Sequence, residues 1–241
     1  MNEEETKTVI DFMESLGYRF LEPRLIYTAL CHSSYSHEQK QRGRKDVESN
    51  ERLEFLGDAA IDLIIAEYLY THFPDAPEGV MAKIKAAIAS EEALAQIARD
   101  INLGSYLFLG RGEEITGGRD RDSILADTLE AVAAAIYIDG GVESLKKCLL
   151  SHFAKYAQEI SEGKIVFDYK THLQEITQER FRQLPEYILV DEKGPSHMKK
   201  FIVELRLNRK TIAFGEGLSI KEAEKDAAKK ALEKLKGEFN Q

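Results

Sequence analysis

The hydrophobic period of this chain changes once, and that change limits what it can fold into. From residue 3 to about 160, apolar residues return every three or four positions. These amphipathic stretches lie near 5–16, 24–31, 50–72, 78–88, 90–101, 123–138 and 142–161, joined by turns rich in Gly, Pro or charge. No strand pattern interrupts them. After SEGKIVF, residues 161–167, a helical YKTHLQEITQERF is followed by β-branched or alternating runs at EYILV, FIVELRL and TIAFGEG, then by a helix rich in Ala and Lys. The expectation is two domains: an all-α domain over 1–160, a linker over 161–167, and a small α+β module of α-β-β-β-α order over 168–237. The polar insert HEQKQRGRKDVES, residues 37–49, reads as a solvated loop, with Ser49 or Asn50 capping the helix behind it. Ser219 and Glu222 have the spacing of a capping box for the last helix.

At 241 residues and 43% apolar content the chain can bury an ordinary core. Cys31 and Cys148 lie in apolar stretches without metal-ligand spacing and read as reduced core residues. The N-terminal MNEEETKTVIDFMESLG is acidic and lacks an export signal, and no run approaches a membrane span. These features imply a soluble cytoplasmic protein with no membrane partner. GRG at 110–112 and GEG at 215–217 fall short of any phosphate-binding fingerprint, so no nucleotide cofactor is expected. His32 beside Ser33 and Ser34 lacks a nucleophile elbow and reads as structural. The net charge is −9, yet residues 165–241 hold 15 basic against 13 acidic side chains. The acidic excess therefore belongs to the helical part, and the second module can meet a polyanion.

ERLEFLGDAAID, Glu51 to Asp62, concentrates the chemistry. Glu51, Glu54, Asp58 and Asp62 fall within an arc of roughly 80° on a helix, with Leu53, Leu56, Ala60, Leu63 and Ile64 expected on the buried side. SILADTLEAVAAAIYI repeats the oddity with Asp127 and Glu130 in an apolar helix. Such acids can pair with Arg or Lys, line solvent, or face one another across a cation. Two acidic pairs embedded in apolar helices favour the cation, because an uncompensated carboxylate away from water costs several kcal/mol. Oxygen-only ligands on rigid helices suit Mg²⁺, and a metal there points to hydrolysis, with the substrate left open.

NERLEFLGD (Asn50 to Asp58) and ILADTLEA (Ile124 to Ala131) resemble the two signature segments of the bacterial ribonuclease III family. ALCHSSYSHE, FPDAPEG, LFLGRGEE and GGRDRDS match further, so the resemblance spans essentially the whole chain. It implies a homodimeric endoribonuclease of double-stranded RNA, leaving 5′-phosphates, 3′-hydroxyls and short 3′ overhangs. Precursors of ribosomal and other RNAs are the family's usual substrates. By resemblance Glu54, Asp58, Asp127 and Glu130 hold Mg²⁺, with Mn²⁺ as a substitute. Glu51 matches an assisting acidic position, and Glu78 matches a residue at the subunit interface. Asp62 has no counterpart to carry over. Ala133, Ala134 and Ala135 stand where members often have a Gly, a small-for-small change.

In YKTHLQEITQ, the residues Thr171, Gln174, Glu175 and Gln178 share a polar, mostly uncharged face, while Leu173, Ile176 and Thr177 share the other. His197 lies in a turn between strands, and Lys221 and Lys225 lie in the first turns of a capped helix, whose dipole attracts phosphate. These three elements resemble the contact regions of a double-stranded RNA-binding domain. That implies a first helix and His197 in successive minor grooves, with the lysines across the phosphates between. Ile220 stands where the family usually has a second lysine. Two rivals remain: an RNA-binding protein whose helical half only dimerises, and a helical Mg²⁺ enzyme of diphosphate chemistry, for which aspartate-rich DDxxD clusters are missing.

Overall fold

The structure, a computed structural model, describes residues 1–161, 169–193 and 199–239, with side chains to Leu235. The chain divides into two compact units, Met1–Phe167 and Asp168–Gln241.

The first unit is helical, with α1 (Glu3–Leu16), α2 (Pro23–Ala29), α3 (Ser33–Gln41), α4 (Glu51–His72), α5 (Glu78–Ile88), α6 (Glu91–Asp100), α7 (Arg111–Ile115) and α8 (Asp122–Ser161). The last two expected helices form one run, α8, broken at Gly141, where φ is 74°. That left-handed value suits glycine and lets the chain turn without a loop. The α4 and α8 helices lie side by side at the centre, with α6 also packed on α8. Leu53, Ala60, Ile61, Ile64, Ile65 and Leu69 from α4 meet a core to which α8 gives Leu125, Leu129, Val132 and Ala133. The backbones touch at Gly57, where a Cβ would lie 1.8 Å from the carbonyl oxygen of Glu130. No residue but glycine fits there.

Three expectations need correction. The segment 37–49 is not simply a solvated loop. Its first part is the end of α3, and it then sends Val47 into the core and Arg44 onto Glu5, which is only 2% exposed. Burial alone would push the Glu5 carboxyl up. Hydrogen bonds from Arg44, Tyr35, the Asn2 backbone and Tyr27 outweigh it and hold the group at about 2. Secondly, Leu63 is 55% exposed and Leu56 half-buried, while burial extends to Ile61 and Ile65, beside the acids. The acidic stripe flanks the α4–α8 contact because α8 approaches that edge of α4. Thirdly, neither Ser49 nor Asn50 caps α4 with its side chain. Ser49 Oγ donates to Glu51 Oε2 at 2.7 Å, and Asn50 turns inward.

The second unit contains α9 (Tyr169–Phe181), β1 (Glu186–Lys193), β2 (Lys200–Leu207), β3 (Lys210–Gly217) and α10 (Ile220–Phe239). The sheet is antiparallel in the order β1-β2-β3, with a bulge between Leu189 and Asp191. Leu173, Leu205, Ala227, Ala228, Ala231 and Leu232 form its core. Small residues let α10 lie close on the sheet: a Cβ on Gly215 would fall 2.0 Å from the Ala223 carbonyl oxygen.

Candidate active site and RNA-binding surface

Helical spacing sets Glu54 and Asp58 one turn apart on α4, and Asp127 and Glu130 one turn apart on α8. The glycine contact brings the two pairs together. Glu54, Asp127 and Glu130 are half-buried and each offers an oxygen, all mutually within 4.8 Å. Asp58 lies outside that trio and is exposed, but its charge weighs on Glu130 more than any other acid's. Among the described residues none of these four acids forms an ion pair with Lys or Arg. Arginine neutralisation is thereby removed as the explanation of the cluster.

Burial is the main reason that the Glu130 carboxyl is pushed up to about 8, helped by the charges of Asp58, Asp127, Glu54 and Asp62. Burial also raises Glu54, with Asp127 and Glu51 adding to it. Asp127 is raised by burial and by Glu91, with His32 opposing. A divalent cation among them would reverse the balance, since it would favour the charged form that burial disfavours. The donor set is entirely oxygen and sits on two helices, as a hard cation requires.

Glu51 is exposed at the first turn of α4 and held by Ser49. Asp62 is not free: Lys85 of α5 forms an ion pair with it. Glu78 is the exposed first residue of α5. Two residues near the cluster escaped the sequence reading as parts of it. His32 is structural as expected, its Nδ1 accepting from the Ser34 backbone N–H at 3.3 Å, yet its charge also reaches Asp127. Glu91 opens α6, and nothing in its local sequence separates it from a common first-turn acid.

In the second unit Thr171, Gln174, Glu175 and Gln178 are all exposed on α9, while Leu173 and Thr177 are buried. Lys221 is exposed and Lys225 half-buried in the first turns of α10. Ser219 Oγ accepts from the Glu222 N–H at 3.1 Å, and the Glu222 carboxylate accepts from Leu218 N–H at 2.7 Å. His197 lies outside the described residues.

A half-buried acidic cluster between two helices, followed by a separate α-β-β-β-α module, is the arrangement expected of a metal-dependent phosphodiester hydrolase with its own RNA-binding module. Comparison with known proteins gives the particular case. Residues 22–157 match the ribonuclease-III-like family model and residues 169–235 match the double-stranded RNA binding motif. A protein named ribonuclease 3 from Pseudothermotoga lettingae is 76% identical over 99% of this chain and 100% of its own. Another of that name from Caldanaerobacter subterraneus subsp. tengcongensis is 46% identical over 92% of this chain and 96% of its own. The ribonuclease III nuclease domain of Campylobacter jejuni, described for flexibility in a region involved in dimer formation, is 38% identical. It superposes with a TM-score of 0.55, covering 61% of this chain and 97% of that one. The chain belongs to the ribonuclease III family, and it is an endoribonuclease of double-stranded RNA.

Proposed function

We propose that Mg²⁺ is the catalytic ion, held by Glu54, Asp58, Asp127 and Glu130, with Mn²⁺ able to substitute and Glu51 assisting from the edge. The carrying observation is that three of these acids converge within 4.8 Å on two helices. Bound there, the ion would offset charge on a scissile phosphate and acidify the attacking water. The protein's part is to hold four oxygens rigidly and to keep basic side chains away from them. The ends left are 5′-phosphates and 3′-hydroxyls with short 3′ overhangs, and the substrates are ribosomal and messenger RNA precursors. Two free cysteines suit a cytoplasmic setting, and among the described residues no helix is long and apolar enough to cross a membrane.

The working form is a homodimer. Phe55, Leu63 and Tyr70 are 83%, 55% and 78% exposed along one stripe of α4, and Val80 of α5 is 44% exposed. Exposed apolar side chains in such a row mark an interface. A groove on this unit is lined by Leu25, Thr28, Leu53 and Leu56, and a two-fold axis through the α4 stripe would bring each Phe55 against the other subunit. Glu78, near Val80, belongs to the same interface. In the second unit, domain bounds of 168–237 include the elements that would meet RNA. Thr171, Gln174, Glu175, Gln178 and His197 would reach minor-groove groups, and Lys221 and Lys225 the phosphates.

The test is cleavage of a labelled RNA duplex with and without Mg²⁺, beside Glu130→Gln. Metal-dependent cutting that disappears in the variant while RNA binding persists is expected. Equal cutting by both proteins would remove Glu130 from the mechanism.

A further inference from the structure

Asn50 immediately precedes α4 in the position where an asparagine side chain normally caps the first turn. It does not do so. Its backbone is helical, with φ −75° and ψ −11°, and its side chain makes no capping bond. Instead Nδ2 donates to Thr128 Oγ1 on α8 at 3.4 Å, a long bond between side chains that are 3% and 0% exposed. Thr128 in turn donates to the Ile124 carbonyl at 2.7 Å. The Asn50 backbone N–H is separately anchored on Cys31 O at 2.9 Å. One end of the Asn50–Thr128 contact is thus fixed to the segment before α4, and the other lies next to Asp127.

We propose that Asn50 and Thr128 are positioning residues, a buried clasp that sets the register of α4 against α8 and so fixes Glu54 relative to Asp127 and Glu130. The apolar contacts of two packed helices tolerate small slides, whereas a buried polar group left without its partner does not. Another side-chain bond between these helices, Lys146 to Glu67 at 2.6 Å, lies at the surface and beyond the Gly141 break, and so is poorly placed to set geometry at the acids. Mg²⁺ demands near-ideal octahedral geometry, so a slide of one residue, 1.5 Å along an α-helix, would spoil the ligand set. The inference rests on the metal reading above.

The test uses the full chain carrying Thr128→Val, which removes the hydroxyl at constant shape, Thr128→Ser, which restores it, Asn50→Ala, and the Asn50→Ala/Thr128→Val double variant. Readouts are Mn²⁺ binding by electron paramagnetic resonance, kcat and KM on duplex RNA, and thermal melting. We expect Thr128→Val to weaken Mn²⁺ binding and lower kcat by about tenfold, as losses of groups that orient metal ligands do. KM should stay within about twofold, Thr128→Ser should approach the parent, and the double variant should be no worse than the poorer single. Parental Mn²⁺ affinity in Thr128→Val, equal losses in the Ser and Val variants, or multiplicative losses in the double would overturn the clasp. If Thr128→Val does not fold, Asn50→Ala and Thr128→Ser carry the same comparison. Absence of Mn²⁺ binding by the parent would instead defeat the metal reading.

Discussion

Glu130 is surrounded by the groups that make ionisation hardest: it is half-buried and near Asp58, Asp127, Glu54 and Asp62. With its carboxyl at about 8, most of the metal-free protein carries a proton there at pH 7. A cation must displace that proton, so Mn²⁺ affinity should climb between about pH 6 and 8 and level off above. Glu130→Gln should flatten the rise as well as weaken binding, which calorimetry in buffers of different ionisation enthalpy will show as lost proton release. Glu5 behaves in the opposite way. Its folded value of about 2 lies below its ordinary 4.5, so its stabilising contribution is present above 4.5 and is lost as pH falls through 4.5 towards 2. Arg44→Ala leaves that acid buried without its cation and should cost about 3–5 kcal/mol at pH 7 in urea unfolding, with a smaller penalty near pH 3. The acidic stripe Glu51, Glu54, Asp58 and Asp62 and the pair Asp127 and Glu130 were legible from their spacing, whereas the choice of four among them as proposed ligands came from the family resemblance. Lys85 was not legible as the partner of Asp62, because an ion pair between separate helices leaves no trace in local sequence.

At the scale of elements, α4 and α8 meet through a missing side chain. Gly57→Ala would drive a methyl group into the Glu130 carbonyl and force the helices apart. Overpacking of this kind costs about 1–3 kcal/mol and more where backbone must move. Melting temperature should fall, and cleavage should fall further than melting, since the same displacement separates Glu54 from Glu130. Retention of full activity by Gly57→Ala would show that the spacing is not critical. Apolar period revealed most of the helices and all three strands, because burial on one face is what that period records. It missed α3, whose SSYSHEQKQ contains Tyr35 as its one aromatic and no aliphatic residue. That helix is held by distant polar bonds: Ser36 donates to the Val47 carbonyl at 2.8 Å, Ser34 Oγ accepts from Gly110 N–H at 2.9 Å, and Glu38 accepts from Arg111 N–H at 2.6 Å. Partners 11 to 76 residues away lie beyond any local pattern.

At the scale of the molecule, the ribonuclease-III-like match and the RNA-binding motif fall in different units, so cleavage and RNA affinity should respond differently to salt. Truncation after residue 164 should weaken duplex binding at physiological ionic strength while leaving Mg²⁺-dependent cutting measurable at low salt, because phosphate contacts lose affinity steeply as salt rises. Filter binding at two salt concentrations checks this, and unchanged affinity of the truncated protein would require another role for the second unit. Phe55→Asp should convert the proposed homodimer to monomers in light scattering without lowering the melting temperature of the protomer, as Phe55 is 83% exposed and contributes little to its own core; a parent that scatters as a monomer would overturn the dimer reading itself. The division into two units was visible as a switch of period. The exposed apolar stripe proposed for self-association was not, since exposed and buried apolar residues look alike in a one-dimensional pattern until the core has been located.

Because only hydrogen atoms separate α4 from α8 at Gly57, the two rods already stand at the chain's thinnest possible cross-section. Substitutions in the surrounding core can hold them there or pry them apart, and none can draw them nearer. Variation in this enzyme is therefore one-sided. A library of repacked cores should give activities that match the parent or fall below it, with the losses tracking how far the rods have spread.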